Sequence, residues 1–238
     1  MKYVALHSPA TAGRRLSFFL AMEEWVARHL DGDDYFFLWQ VEPSVIFGRN
    51  QLLENEVNVA YCREHGIQMF RRKSGGGCVY ADQGNIMLSY ITKEENTSLA
   101  FYTFINMILL VLHKMGITAT STSHNDVLVD GKKVSGTACH LVAGHSIVHG
   151  TLLYDTNMEH MLNAITPGPE KLQAKGIQSV RQRITLLKDH LPLSQEMLKA
   201  GIKATLCTGE HLLTADDEAA IEQLEQDYLD KDFINLYK

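Results

Sequence analysis

Three consecutive glycines, Gly75–Gly77, interrupt a part of the chain that otherwise favours β-strands. Residues 79–80 and 85–91, which follow, are rich in strand-forming side chains. A glycine in such a region usually marks a bend or a close approach of the backbone to another group, because no Cβ stands in the way. Two arginines and a lysine, residues 71–73, come directly before the glycines, and arginine matches phosphate and carboxylate groups. The stretch therefore predicts a loop that binds an anionic ligand, with a flexible, charged surface loop as the alternative.

Composition limits the class of protein. With 238 residues and 45% apolar side chains, the chain can bury one large core or two small ones. The net charge of −6 argues against a nucleic-acid partner, since such proteins normally carry a basic field. No apolar run approaches the roughly 18 residues that span a bilayer, so no membrane partner is expected. The opening residues lack a signal-peptide pattern. The cysteines form no C-x-x-C pair, which favours reduced thiols in a cytoplasmic protein over a zinc site or a disulfide framework: Cys62, Cys78, Cys139 and Cys207.

Hydrophobic patterning predicts one α+β domain over residues 1–238. Apolar residues at helical spacing predict an amphipathic helix over residues 16–30, with Glu23 facing outward. Asp130-Gly131 is a preferred two-residue hairpin turn. Beyond Asp189 the pattern becomes helical, so residues 190–238 are predicted to form a helical C-terminal flank. Further helices are predicted over residues 57–65 and 103–115, and strands over residues 3–6, 35–39, 44–48, 79–80, 85–91, 127–129, 132–134 and 147–154.

Lys133 is the strongest candidate for chemistry outside the glycine stretch. Lys132 and Lys133 follow the hairpin turn, and neighbouring residues of a strand point to opposite faces, so one of the two lysines should face inward. Lysine is rarely buried without a partner, so an inward lysine near a glycine-rich loop indicates an anion between them. A solvated hairpin end is the alternative.

Other candidate residues have a simpler, structural interpretation. Asn125 and Asp126 could hold a hydrated magnesium ion beside phosphates, or they could cap a turn. His149 lies in an apolar strand, where a buried structural histidine is the simpler interpretation, and Trp39 is typical of a core residue. Cysteine needs a nearby base or positive field to act as a nucleophile. Cys139 has His140 next to it, but neighbouring residues of a strand point to opposite faces. Cys78 lies beside the cationic loop, where packing of a small residue explains it equally well, so both are interpreted as structural.

Taken in order, several short motifs resemble the lipoate–protein ligase family, whose catalytic domain is shared with biotin ligases. The resemblance runs from about Leu38 to Leu187 and depends on the order and spacing of the motifs together. These are Leu38-Trp39, Gly48-Arg49-Asn50-Gln51, Arg72-x-Ser74-Gly75-Gly76-Gly77-x-Val79, Asp82-x-Gly84-Asn85, Asn125-Asp126, Lys133-Val134-Ser135-Gly136-x-Ala138, His149-Gly150-Thr151-Leu152-Leu153 and Lys175-Gly176-Ile177-x-Ser179-Val180-Arg181.

The resemblance implies a fold and an activity. The fold is a mixed, largely antiparallel central sheet flanked by helices, as in class II synthetases and biotin–lipoate ligases. The activity is ATP-dependent lipoylation, in which lipoate and ATP, with Mg²⁺, form lipoyl-adenylate, and the lipoyl group then passes to a lysine of a carrier domain. Expected carriers are the lipoyl domains of 2-oxoacid dehydrogenase complexes or the glycine cleavage H protein.

The resemblance also implies roles for individual residues. Lys133 would be catalytic, holding the carboxylate and phosphate oxygens, and Asp126 would face magnesium through the phosphates. The residues implied to bind ATP or lipoyl-adenylate are Trp39, Arg72, Ser74, Gly75, Gly76, Gly77, Cys78, Val79, Tyr80, Asn85, Asn125, Asp126, Lys133, His149 and Thr151.

Two departures from the family pattern bear on the reaction. Related acyltransferases use a cysteine nucleophile, but the two matching stretches, residues 166–169 and 121–124, contain no thiol, which favours the ligase. The alternatives are a lipoyl or octanoyl transferase that uses a preformed donor, and a lipoate-binding protein without catalysis. Many ligases carry a further small domain, and the sequence stops at Lys238 where that domain would begin. We therefore expect the accessory C-terminal domain to be absent here and supplied, where needed, by a separate protein.

Overall fold

A computed structural model of the chain describes residues 1–8, 13–122, 126–165 and 183–236. Its main feature is an eight-stranded sheet in the order β11-β1-β2-β6-β10-β9-β8-β7. Three strands form a second sheet in the order β4-β3-β5. The strands are β1 (Lys2–Ala5), β2 (Tyr35–Trp39), β3 (Ser44–Phe47), β4 (Gln68–Arg71), β5 (Val79–Ala81), β6 (Asn85–Thr92), β7 (Ala119–Ser121), β8 (Asp126–Val129), β9 (Lys132–Val142), β10 (His145–Leu153) and β11 (Gly209–Leu212).

Strand pairing is mixed and largely antiparallel, which confirms the expected fold class. Only the pairs β1–β2, β1–β11 and β3–β4 are parallel among the described strands. The β8–β9 hairpin turns at Asp130 and Gly131, whose φ angles of 50° and 72° are both positive, as the tight hairpin turns require. The predicted hairpin is therefore confirmed.

Helices cover both faces of the large sheet. They are α1 (Leu16–His29), α2 (Leu53–Glu56), α3 (Val59–Glu64), α4 (Thr97–Lys114), α5 (Met158–Ala164), α6 (Gln195–Leu206), α7 (Ala215–Leu229) and α8 (Lys231–Ile234). Side chains alternate across β2, so that Phe37 packs into the core that contains α1, whereas Phe36 packs into the core that contains α4. A third apolar cluster, around Val45 and Phe47, joins the small sheet to α3 and α5.

Helix α4 is long and apolar enough, by length and composition alone, to cross a membrane. The core helix of a water-soluble fold meets the same criteria, and here Phe104, Ile108 and Leu112 of α4 are buried against the sheet. This helix therefore has a structural role in the core, and the sequence-based expectation of no membrane partner stays a prediction.

Some sequence-based predictions differ from the structure. The helix expected over residues 57–65 is confirmed as α3, which the Asn58 side chain caps, but the short helix α2 before it was not predicted. The strand expected over residues 132–134 continues to Val142 as β9. Helix α4 begins six residues earlier than expected, at Thr97, where Asn96 accepts hydrogen bonds from the Ser98 and Leu99 amides. The C-terminal flank is not entirely helical, because β11 lies within it and pairs with β1. An edge strand specified by a partner some two hundred residues away leaves little local signal.

Candidate active site

Two adjoining cavities lie where β9 and β10 of the large sheet meet β5 and the glycine loop. The larger has a volume of about 810 Å³ and extends along the β8–β9 hairpin to Arg183 and Ile184. The smaller, of about 260 Å³, is enclosed by side chains that include Leu20, Ile46 and Met87. Five residues line both: Cys78, Val79, Lys133, Gly136 and Thr151.

The glycine loop approaches protein backbone as well as the smaller cavity. A Cβ on Gly48 would overlap the carbonyl oxygen of Gly76, and the Arg49 amide donates to the Ser74 carbonyl oxygen at 2.9 Å. Gly76 also has a φ of +96°, which favours glycine. Gly76 and Gly77 line the smaller cavity, whereas Gly75 and Ser74 line neither. Much of the need for glycine here thus comes from packing between residue 48 and the loop.

Hydrogen bonds to protein oxygens account for the basic run before the loop. Arg71 is fully buried and donates to the carbonyl oxygens of Arg49 and Gln51, at 2.7 and 2.8 Å, and of Ile234, at 2.9 Å. Lys73 forms an ion pair with Glu24 at 2.6 Å. The cation lies over the Tyr228 ring, 4.6 Å from its centroid. These two side chains connect the loop to α1, α7 and α8.

Arg72 binds the loop itself. Its guanidinium donates to the carbonyl oxygens of Ile46, Gly75 and Gly77 at distances of 3.0, 2.7 and 2.8 Å. Burial lowers the pKa of Arg72 to about 10, so the group stays protonated at neutral pH. Arg72 lines the smaller cavity, but the interactions seen in the structure hold the loop in shape. Its predicted contact with an adenylate phosphate stays a prediction.

Lys133 is the basic side chain at the junction of the two cavities. Its ammonium pairs with Asp126 at 2.7 Å, and both side chains keep partial exposure, 38% and 29%. A Cβ on Gly136 would lie 2.9 Å from the Lys133 Nζ, so glycine at 136 leaves room for this side chain. Lys132 is exposed at the hairpin end and lines only the larger cavity. The inward lysine of the pair is therefore Lys133.

Asp126 is the residue that the resemblance predicts to face a magnesium ion. It lines the larger cavity beside Lys133. In the part of the chain that the structure describes, no group of three or more His, Cys, Asp or Glu side chains is placed to hold a metal ion. Asn125 lies outside the described residues. Asp126 and Asp130 are the two carboxylates among the described residues that line the larger cavity, fewer than an all-protein metal site needs.

A chain of buried hydrogen bonds forms the wall behind the smaller cavity. Trp39 Nε1 donates to Ser89 Oγ at 2.8 Å, and Ser89 donates to Glu23 Oε1 at 2.5 Å. Glu23 Oε2 lies 2.8 Å from His149 Nδ1, and His149 Nε2 lies 2.7 Å from Ser74 Oγ. Trp39 and His149 line the cavity, and all five side chains are buried.

Glu23 and Ser89 were missed from the sequence. The expectation that Glu23 faces outward was wrong, because it is only 1% exposed. Helix α1 is buried on all sides from Leu16 to Ala27, and Glu23 faces the sheet, where it contacts Ser89 of β6 and His149 of β10. The sequence did contain a signal for the buried position of Glu23. Leu16–Ala27 has few polar residues, so the two adjacent glutamates within it need buried partners.

Other predicted residues are divided between the cavity walls and the supporting structure. Val79 and Thr151 line both cavities, and Tyr80 lines the larger. Asn85 lines neither; its side chain donates to the Tyr80 carbonyl oxygen at 2.8 Å and so fixes the turn between β5 and β6. Arg183, at the edge of the larger cavity, was not predicted.

The thiols near the site are poorly suited to nucleophilic attack. All four cysteines are unpaired. Burial raises the pKa of Cys78 to about 12 and that of Cys139 to about 11, so both are thiols at neutral pH. Cys78 lines both cavities, whereas Cys139 lines neither.

Comparison with known families identifies this arrangement. The family model described as the lipoyl protein ligase A/B catalytic domain matches residues 16–207. The chain belongs to this family. Lipoate–protein ligase LplJ of Bacillus subtilis is 39% identical over 174 residues, which are 72% of this chain and 53% of that protein. The chain spans 53% and 66% of the lengths of two curated relatives that it matches.

Solved structures of other proteins share the fold of this chain. The bipartite lipoate protein ligase of Thermoplasma acidophilum, from a study that includes its E2 lipoyl domain, superposes with a TM-score of 0.83. Its sequence is 24% identical, and the match covers 100% of this chain and 97% of that one. A lipoate–protein ligase A bound with ATP has a TM-score of 0.81 and 21% identity, with 99% of each chain covered. At this identity the likeness establishes the fold.

Proposed function

We propose that this chain catalyses ATP-dependent lipoylation of a carrier protein. Lipoate would attack the α-phosphorus of ATP to give lipoyl-adenylate and pyrophosphate, and a carrier lysine amine would then displace AMP to form an amide. The observation that carries the proposal is the position of Lys133, which lines both a small, largely apolar cavity and a larger one bordered by more charged side chains. An activated acyl group needs such a junction, with its chain in one cavity and its phosphate at the cation.

The smaller cavity is suited to the acyl chain. Leu20, Ile46 and Met87 contribute apolar surface to it. Each methylene buried there would contribute roughly 0.8 kcal/mol of binding free energy. The name shared by the curated relatives, lipoate–protein ligase, supports lipoate as the acid.

The larger cavity is suited to the nucleotide. A solved neighbour of the same fold is described as bound with ATP, which supports ATP as the activating substrate. Asp126 would face a magnesium ion held by the phosphates, and that ion would neutralise charge on the departing pyrophosphate. Arg183 and Lys132 add positive charge at the edge of this cavity.

Lys133 would act by electrostatic stabilisation in both half-reactions. As the carboxylate attacks, negative charge grows on the phosphoryl oxygens, and the ammonium at the junction would stabilise it. In the second half-reaction the attacking amine generates an oxyanion on the acyl carbon, at the same junction. Asp126 would hold the ammonium in place before substrate binds, through the 2.7 Å ion pair. Transfer through a cysteine is the less suitable chemistry, because Cys78 keeps its proton at neutral pH.

We extend the proposal to the partners and the cellular location. The study of the archaeal neighbour pairs a bipartite ligase with an E2 lipoyl domain, which supports a lipoyl carrier domain as acceptor and a separate accessory protein as a possible requirement. The lipoyl domains of 2-oxoacid dehydrogenase complexes and the glycine cleavage H protein are the proposed carriers. Four unpaired cysteines support a reducing compartment, and we propose the cytoplasm.

The test measures the two half-reactions separately on the purified chain. Exchange of pyrophosphate with ATP, dependent on lipoate, reports adenylate formation, and lipoylation of a carrier from synthetic lipoyl-adenylate reports transfer. We expect transfer from the chain alone and stronger exchange once an accessory protein is added. Absence of both reactions, with and without that protein, would contradict the proposal.

A further inference from the structure

The buried hydrogen-bond chain behind the smaller cavity has a direction, and Glu23 sets it. An ionised carboxylate only accepts hydrogen bonds. Ser89 must therefore donate to Glu23 Oε1, which leaves its oxygen to accept from the Trp39 indole. With a proton on Nδ1, His149 donates to Glu23 Oε2, and its Nε2 forms the hydrogen bond with the Ser74 hydroxyl. Both arms of the chain end on one side chain.

The two arms fix three separate parts of the cavity wall. Trp39 comes from β2, His149 from β10, and Ser74 begins the glycine loop whose Gly76 and Gly77 line the same cavity. These elements lie far apart in the sequence, and α1 supplies the carboxylate between them. Loss of that carboxylate would leave at least one arm without its acceptor. A buried donor without a partner either moves to find another one or lowers the stability of the fold.

We infer that Glu23 is a positioning residue for the proposed acyl site, setting the His149 tautomer and the Trp39 and Ser74 orientations that shape the small cavity. Its effect on lipoate rests on the proposed function; its effect on the two arms does not. The Ser74–His149–Glu23 distances are also those of a nucleophilic triad. Ser74, however, has no exposed surface and lines neither cavity, which supports positioning rather than attack.

The test compares Glu23→Gln with Glu218→Gln. Glu218 is equally buried and pairs with Arg14 at 2.6 Å, but it lies on α7 away from both cavities, so it matches the loss of a buried carboxylate. The glutamine amide can donate to His149 Nδ1, which reverses the tautomer. In Glu23→Gln we expect exchanged ¹⁵N shifts of the two His149 ring nitrogens, a shifted Trp39 indole resonance, and lipoate affinity about tenfold lower by calorimetry. In Glu218→Gln we expect the melting temperature to fall with resonances and affinity unchanged.

Three outcomes would overturn the assignment. These are unchanged His149 and Trp39 resonances in Glu23→Gln, an equal loss of affinity in Glu218→Gln, and covalent labelling of Ser74 by a fluorophosphonate. If the parent chain binds no lipoate, the proposed function fails while the resonances still decide the role of Glu23. Should Glu23→Gln not fold, Ser89→Ala breaks the Trp39 arm alone, and we then expect the indole resonance to move while His149 keeps its tautomer.

Discussion

Residues 71–73 and residue 133 both bring positive charge to the glycine loop, yet their partners differ in kind. Arg71 and Arg72 are buried and bind backbone carbonyl oxygens, and Lys73 pairs with Glu24. Lys133 stays partly exposed at the junction of two cavities and pairs with a carboxylate that is itself accessible. The first group stabilises the shape of the site, whereas the second is free to exchange its partner for a substrate. A dense basic run therefore need not mark the anion site, and a single lysine after a turn can.

The sharpest test of this difference is Lys133→Met, which keeps the length of the side chain and removes the charge. We expect the lipoylation rate to fall on the order of a hundredfold or more, because charge develops at this junction, with unfolding free energy nearly unchanged. Lys188→Met is the control, since Lys188 also forms a partly exposed ion pair, with Asp155 at 2.7 Å, but lines neither cavity. A variant at residue 133 that transfers lipoate at the parental rate would remove Lys133 from the mechanism.

Arg72→Met should show the opposite pattern. It leaves the carbonyl oxygens of Ile46, Gly75 and Gly77 without their buried donor, so we expect a loss of about 2–3 kcal/mol of unfolding free energy. Urea denaturation measures this loss. If stability is unchanged while ATP-dependent activity disappears, Arg72 contacts the nucleotide and the contrast between the two regions breaks down.

Substitutions at Gly48 and Gly75 test how closely the glycine loop packs against the protein backbone. Gly48→Ala would force the backbone of the loop away from residue 48, so we expect a loss of about 1–2 kcal/mol and weaker binding of a lipoyl-adenylate analogue. Gly75→Ala is the matched variant: its Cβ would meet nothing within 4 Å, so stability and binding should stay close to the parent. Equal damage from both substitutions would mean that residue 75 itself approaches the ligand.

His140 is a basic side chain that differs from both of these groups. Neither ring nitrogen has a hydrogen-bond partner among the described residues, and its ring centroid lies 6.0 Å from that of His149. Burial, with a contribution from His149, lowers the pKa of His140 from 6.5 to about 4. The His140 ring therefore takes up a proton at a higher pH in the unfolded chain than in the folded one. The free energy of unfolding consequently decreases as pH falls from 6.5 towards 4.

We expect His140→Gln to reduce the stability loss between pH 7 and pH 5.5 by about 1 kcal/mol relative to the parent. Chemical denaturation at the two pH values measures this difference, and the other titrating groups contribute equally to both proteins. An identical pH dependence in the two proteins would show that His140 does not titrate in this range.

Local sequence patterns predicted much of the fold and part of the site. Runs of apolar, strand-forming residues located β2 and β10, the Asp130-Gly131 pair located the hairpin, and opposite facing of neighbouring strand residues singled out one lysine of two. Long-range packing decided the rest. Whether a guanidinium meets a ligand or a carbonyl oxygen depends on residues such as Ile46 and Ile234, which are distant in sequence. The inward position of Glu23 likewise depends on Ser89 of β6 and His149 of β10, which are distant in sequence.

The pairing of β1 with β11 has a consequence for synthesis of the chain. Lys2 lies opposite Gly209, so β1 cannot pair with β11 until the chain as far as Leu212 has left the ribosome. At 5–20 residues per second, that interval is roughly 10–40 s. Throughout it, one edge of the growing sheet offers unpaired backbone groups that other strands could bind. We therefore expect a chaperone that covers this edge during synthesis to reduce misfolding.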